Sequence, residues 1–285
     1  MNRSRREVQQ NNCENGKSKG ETLRTVTLLR KSSRKKRSIA SHSTGTTCLH
    51  SVTAVPETKS KTAHRERTKL PSSLPATSRD TSKIRCDWAA RYVGADSIEY
   101  IKYHDEEWGR LVLDDSRLFE LLVLETAQAG LSWSTILRKR EAYRAAYESF
   151  DVSAVASFTE SDIERLMLPS SGIVRNRSKI SASVVNAGLV LKLREEHGSF
   201  GRFLWETFLP GGRPIINRWE TVADVPSRSE ESEHMSRELK KKGFQFIGPT
   251  TCYSFMQAAG MVNDHTVSCF CHPECTAAGK GLRFP

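Results

Sequence analysis

Apolar residues recur at helical spacing from about residue 85 onward and hardly at all before it. Leu118, Phe119, Leu121, Leu122 and Leu124 share one face of a helix that Asp115 or Ser116 can cap and that ends near Gly130. A second helix is expected from Leu131 to about Glu148, with Trp133, Ile136, Leu137 and Tyr147 inward and Lys139, Arg140 and Glu141 outward. Thr159-Glu160-Ser161-Asp162 reads as a capping-box start for a helix through Met167. Leu168-Pro169-Ser170-Ser171-Gly172 then breaks the chain, and helical spacing resumes from Lys179 to Arg194. Trp205 to Thr221 reads as a loop-broken connection, followed by helices over Met235–Lys242 and Tyr253–Gly260. Phe244-Gln245-Phe246-Ile247 is the one alternating stretch that suggests a strand. The pattern predicts an all-α domain over 85–275 without internal repeats, with a flexible C-terminus over 276–285.

Residues 1–84 follow another logic. They are rich in Ser, Thr, Lys and Arg and contain no Trp, Tyr or Phe. Such a segment buries too little apolar surface to offset its conformational entropy, so a disordered tail is expected. The charge divides at the same place. The chain of 285 residues carries a net +11, yet residues 1–84 hold 19 basic and 6 acidic side chains and the remainder holds 25 and 27. The basic excess therefore belongs to the tail, and any affinity of the folded part for a polyanion must come from local patches. Arg30-Lys31-Ser32-Ser33-Arg34-Lys35-Lys36-Arg37 is a basic cluster of the nuclear-import or nucleic-acid-tethering kind, or simply a solvated charge run. Glu7, Glu14 and Glu21 argue against an organellar transit peptide, though that reading stays open. No signal peptide and no bilayer-spanning run is expected. The seven cysteines form no regular framework, which fits a reducing, intracellular compartment and a soluble protein.

Four residues suggest a metal. Cys86 and His104 lie near the start of the helical region, and His265 and Cys269 are spaced H-x3-C near its end. Two Cys and two His make a closed tetrahedral zinc set of the structural kind, leaving no open position for chemistry. Cys271, His272 and Cys275 crowd the same end, so spacing alone leaves the C-terminal ligands open. His42, His50, His64, His197 and His234 have no cluster partners in the sequence. Glu125, in an apolar helix, is costly to bury without a partner, which marks it either as an ion-paired structural acid or as a ligand-facing one. The helix, Pro/Gly break and helix from Asp162 through Ala182 can offer the backbone amides around Gly172 to a phosphate, with Arg175, Arg177 and Lys179 adding charge. The same run also fits an ordinary αα connection with a solvated basic face.

Six runs carry a resemblance. They are Cys86-Asp87-Trp88, Tyr103-His104-Asp105-Glu106-Glu107-Trp108-Gly109, Gln128-Ala129-Gly130-Leu131-Ser132-Trp133, Gly172-Ile173, Cys252-Tyr253-Ser254-Phe255-Met256-Gln257-Ala258 and Val262-Asn263-Asp264-His265. Taken in that order, the stretch from Cys86 to Cys269 resembles the DNA-3-methyladenine glycosylase I family, the Tag-type members of the helix-hairpin-helix glycosylases. The basic tail has no counterpart in the compact bacterial members. The resemblance implies an all-α helix-hairpin-helix fold and one structural zinc held by Cys86, His104, His265 and Cys269. It implies a base pocket around Glu125, Tyr100, Tyr103 and Trp133, with Trp88 and Trp108 near it.

Methylation at N3 makes adenine cationic and a good leaving group, so the enzyme would work chiefly by flipping the nucleotide and recognising the base. Tyr103 and Trp133 would attract the cation with their ring faces. Glu125 would accept a hydrogen bond from the exocyclic amine and complement the charge. Gly130 and Leu131 would fill the gap left in the DNA stack. The expected product is an abasic site, the partner double-stranded alkylated DNA, the compartment the nucleus, and the assembly a monomer. The competing reading is a zinc-stapled, non-catalytic binder of damaged or bent DNA. A zinc hydrolase fits poorly, since four protein ligands close the metal and no H-E-x-x-H run is present.

Overall fold

The computed structural model describes residues 82–92, 97–280 and 282. The expectations for the tail through residue 81 and for 283–285 lie outside those residues. The described part is helical: α1 (Asp87–Ala90), α2 (Ser97–Glu106), α3 (Asp115–Gln128), α4 (Trp133–Ala146), α5 (Val152–Ala156), α6 (Glu160–Met167), α7 (Arg177–His197), α8 (Phe200–Phe208), α9 (Glu230–Lys241), α10 (Pro249–Ala258) and α11 (Cys271–Lys280). Two short strands, β1 (Ile215–Ile216) and β2 (Val262–Asn263), pair in parallel, Ile215 opposite Val262 and Ile216 opposite Asn263. No helix among the described residues is long and apolar enough to cross a membrane.

Caps set where the central helices begin. Asp114, in extended conformation, accepts from Arg117 N at 2.8 Å and starts α3 one residue ahead of the expected cap. Asp115 is then inside the helix, and its carboxylate accepts from Gly201 N at 2.9 Å, which docks α8. Ser132 caps α4 through Thr135 N at 3.3 Å. The capping box at α6 forms as its sequence predicts, with Asp162 Oδ2 accepting from Thr159 N at 2.9 Å. Asn176 caps α7 through Lys179 N. Each side-chain acceptor satisfies an amide that the first helical turn leaves unpaired.

Helix α3 is the axis of the core. Leu118 through Ala127 are all buried, and α4, α7, α8 and α10 pack around them. A helix buried on every side lies inside a domain, and here Glu120, Glu125 and Thr126 are buried along with its apolar residues. Four expectations need correcting. Trp205 does not begin a loop but lies in α8, where Phe200, Phe203, Leu204, Trp205 and Phe208 form a buried helical stripe. Phe244–Ile247 is not a strand: Phe246 takes a left-handed backbone at φ +55°, which ends any alternation. Arg140 faces inward, buried against α3. At the C-terminal end, α11 runs on to Lys280, past the boundary expected at 275.

Candidate base pocket and metal cluster

The C-terminal half of α3, the start of α4, α2 and α10 meet at one cavity of about 230 Å³. Its wall contains the rings of Trp88, Tyr100, Tyr103, Trp108 and Trp133, the polar side chains of Gln128, Ser254 and Gln257, and the carboxyls of Glu125 and Asp264. Val222 and Val225 close one side. No Lys, Arg or His lines it among the described residues. All six pocket residues named from the sequence are therefore in one place. Tyr103 and Trp133 lie with ring centroids 5.1 Å apart at 50°. Trp88 meets Tyr100 edge-on at 5.4 Å and Trp108 edge-on at 5.1 Å. The indole N–H of Trp133 is buried and pairs with nothing among the described residues.

Glu125 is buried, at 5 % exposure, and makes no hydrogen bond or ion pair within the described residues. Burial pushes its carboxyl up to about 8. The ion-pair alternative thus finds no partner: Arg140 and Arg117 bind Glu120 and Glu107 instead. The phenol of Tyr103 is held well above its ordinary range, first by burial and then by the charges of Glu125 and Glu107.

Asp264 is the polar hub that the sequence did not reveal. Its Oδ1 accepts from Asn217 Nδ2 and Trp219 Nε1, both at 2.7 Å. Its Oδ2 accepts from the Tyr253 hydroxyl at 2.7 Å and Gln257 Nε2 at 2.8 Å. A carboxylate only accepts, so Gln257 must turn its amine to Asp264 and keep its carbonyl oxygen for the cavity. Tyr253 and Gln257 sit one helical turn apart on α10, a spacing that places both donors on one face.

Behind the aromatic wall lies a buried cluster of Cys86, His104, His265 and Cys269, whose ligand atoms all fall within 4.8 Å of one another. Cys86 Sγ and Cys269 Sγ are each 3.5 Å from His265 Nδ1, and Cys269 Sγ is 3.6 Å from His104 Nε2. Bonds of about 2.0–2.3 Å around a tetrahedral ion set ligand atoms roughly 3.3–3.8 Å apart, so the donor set fits one metal ion. The remaining ring nitrogens are committed: His104 Nδ1 to Asp105 Oδ1 at 2.8 Å and His265 Nε2 to Trp108 O at 3.0 Å. Such outer bonds fix which nitrogen faces a metal. His265 and Cys269, spaced H-x3-C, come together on a turn after β2 and not on a helix. Cys271, His272 and Cys275 stand outside the four-atom set: Cys271 Sγ meets His104 O, and His272 Nε2 meets Asn217 O at 2.8 Å.

The α6–α7 connection forms a hairpin with Gly172 at φ +71°, a left-handed conformation that suits glycine. The amides of Ile173 and Arg175 pair with no group among the described residues. Of the three basic residues expected to add phosphate contacts, Arg175 is exposed and unpaired among the described residues. Arg177 forms ion pairs with Glu160 and Glu164. Lys179, partly exposed, directs its Nζ to carbonyls of the protein: it donates to Ala127 O at 3.0 Å and Ala129 O at 2.6 Å. Gly130, at φ +82°, and Leu131, 42 % exposed, form the α3–α4 turn between the pocket residues Gln128 and Trp133.

Comparison with known proteins identifies the family. Residues 93–272 match the family described as methyladenine glycosylase. The chain is 44% identical over 189 residues to DNA-3-methyladenine glycosylase 1 of Escherichia coli (strain K12), spanning 66% of this chain and 97% of that protein. It is 45% identical over 187 residues to the DNA-3-methyladenine glycosylase of Haemophilus influenzae, again 66% of this chain and 97% of the relative. A crystal structure of 3-methyladenine DNA glycosylase I (TAG) superposes with a TM-score of 0.61 at 45% identity, covering 67% of this chain and 100% of that one. The Staphylococcus aureus enzyme, solved to explain its recognition of 3-methyladenine, gives 0.58 at 41% identity over 61% of this chain and 91% of its own. The chain belongs to the methyladenine glycosylase family, in its Tag-type branch.

Proposed function

We propose that this protein is a DNA-3-methyladenine glycosylase, releasing the methylated base from double-stranded alkylated DNA and leaving an abasic site. One observation carries the reading: the cavity is walled by five aromatic rings and two carboxyls, with no basic side chain in its lining among the described residues. Such a wall favours a flat cation over a neutral purine, because each ring face is worth roughly 0.5–2 kcal/mol to a cation. Adenine methylated at N3 within DNA is that kind of cation. As the C1′–N bond breaks, its electron pair neutralises the base, water supplies hydroxyl to C1′, and a proton is released.

Glu125 is the residue proposed to carry recognition. Its carboxylate accepts from the exocyclic amine and compensates the charge, while Tyr103 and Trp133 pack against the ring, with Tyr100, Trp88 and Trp108 completing the wall. The hairpin amides beyond Gly172, with Arg175, meet a backbone phosphate, and Leu131 after Gly130 enters the stack once the nucleotide is flipped. The Cys86, His104, His265 and Cys269 set holds one zinc, whose part is to join the two ends of the domain over 85–275. Trp88 and Trp108 pack on both the cluster and the cavity, so the metal would hold the wall in shape. The protein acts as a monomer, and the Arg30–Arg37 cluster carries it to the nucleus. A non-catalytic binder of damaged or bent DNA would have no use for an unpartnered acid in an aromatic cavity.

The test is incubation of the purified protein with methylated duplex and chromatography of the released bases. Release of 3-methyladenine supports the reading; stable binding to the duplex without any release would reject it.

A further inference from the structure

We propose that Lys179 and Lys139 are positioning residues that brace the α3–α4 turn against the α6–α7 hairpin, so that the segment gripping the DNA backbone sets where Leu131 enters the stack. The inference rests on the glycosylase reading above.

The α3–α4 turn has little packing of its own. A side chain added at Gly130 would meet nothing within 4 Å, and Leu131 is exposed. The last carbonyls of α3 have no partner within the helix and carry the negative end of its dipole. Lys179, in the first turn of α7, answers two of those needs: one ammonium bridges Ala127 O and Ala129 O, from 52 and 50 residues away in sequence. Lys139, on the far side of the turn in α4, reaches the other way and donates to Gly172 O at 2.6 Å, at the bend of the hairpin. The turn is therefore tied to the hairpin from both of its arms.

Neither ammonium makes an ion pair among the described residues. A lysine that contacts phosphate keeps its head in solvent and extended toward the polyanion. These two are directed at carbonyls of the protein, where a charged donor forms its stronger class of hydrogen bond. Their place between the two DNA-facing elements gives the braces a consequence. Phosphate contacts fix register without reading the base, and a misplacement of about 1 Å at a reacting centre costs on the order of a hundredfold in rate. A rigid link converts backbone register into wedge position.

The experiment compares wild type, Lys179→Met, Leu131→Ala and the double variant. Three quantities are measured: single-turnover release from methylated duplex, the salt dependence of affinity for unmodified duplex, and binding of free 3-methyladenine. The expected result for Lys179→Met is about tenfold slower release, with an unchanged salt slope and unchanged binding of the free base. In the Leu131→Ala background the same substitution should cost less than about twofold, since a brace acting through the wedge has nothing left to place. A salt slope lower by about one would make Lys179 a direct phosphate contact and overturn the proposal. Losses that multiply in the double variant would do the same. If Lys179→Met fails to fold, Lys139→Met is read by the same criteria. A wild type that released no base would defeat the glycosylase reading and the brace with it, whereas an active wild type with a shifted slope defeats the brace alone.

Discussion

Glu120 and Glu125 stand five residues apart on α3, equally buried, and their carboxyls are displaced in opposite directions. Five helical residues turn the side chain about 140° around the axis, so the two acids face different neighbours. Burial acts against the charge of both. At Glu120 it is outweighed by Arg140 and then Arg117, and the carboxyl falls below its usual range. At Glu125 nothing opposes it, and the carboxyl rises to about 8. One acid is paired within the fold and the other pairs with nothing among the described residues.

Removing the second acid should therefore stabilise the protein. An unfolded glutamate loses its proton near pH 4.5, whereas folded Glu125 keeps it to about pH 8. Between those values the unfolded chain binds fewer protons, so stability falls as pH rises. Glu125→Gln should match wild type at pH 4 and exceed it at neutral pH by roughly 1–3 kcal/mol, at about 1.36 kcal/mol per unit. Melting curves at the two pH values measure this. A variant less stable than wild type at neutral pH would mean that Glu125 has a structural partner after all.

The same group should shape the rate. A base made cationic by methylation does not titrate near neutrality, so kcat/KM should report the free enzyme's Glu125. Base release should rise with pH toward about 8 and then level off. Glu125→Gln should be lower by roughly tenfold to a hundredfold on the plateau, where a charge-assisted bond is lost, and nearly flat with pH. A rise that persists in the variant would assign the titration to another group.

What the sequence made legible follows from where the information resides. Cys86, His104, His265 and Cys269 could be singled out because the chemistry of a closed metal site admits few residue types. The aromatic wall was accessible through the runs around Tyr103, Trp133 and Trp88. Charge, however, carries no direction: Arg140 and Lys179 read as outward and phosphate-facing, and both are taken up by acceptors of the protein. Those acceptors, Glu120 and the end of α3, are distant in sequence. Asp264 went unassigned although its run was noted, because its four donors come from a loop and from α10. The Tyr253 and Gln257 spacing on one helical face was the available signal. Val222 and Val225 come from a connection with no periodicity to follow, and nothing in the sequence pointed to them.

Elemental analysis should find about one zinc per chain. Because metal binding to such a set contributes directly to folding, a chelator should lower Tm. Cys86→Ser or His265→Ala should do likewise. Free 3-methyladenine binding should weaken along with it, since Trp88 and Trp108 rest on both the cluster and the cavity. A metal-free protein with unchanged Tm would remove the site.

Deleting residues 1–80 should leave base release at low salt close to wild type. Affinity for unmodified duplex should fall and its salt slope become shallower, because residues 1–84 hold 19 of the 44 basic side chains but 6 of the 33 acidic ones. Loss of release at low salt would place part of the tail inside the domain.

Strand cleavage should not accompany base release. Glycosylases that also nick the strand attack C1′ with an amine, forming a Schiff base, and this requires an unprotonated nitrogen aimed at the sugar. No lysine lines the cavity among the described residues. Lys179, the nearest in sequence to the hairpin, directs its Nζ to Ala127 O and Ala129 O rather than outward. Burial lowers the basicity of that amine, which alone would favour a nucleophile, but two carbonyls of the protein take two of its three donors and hold it at the end of α3. Borohydride added during turnover should therefore trap no covalent complex with methylated duplex, and the product should be an intact strand bearing an abasic site. A trapped species that disappears in Lys179→Ala would show that the lysine leaves its carbonyls on binding DNA, and would replace water by an amine as the group that attacks C1′.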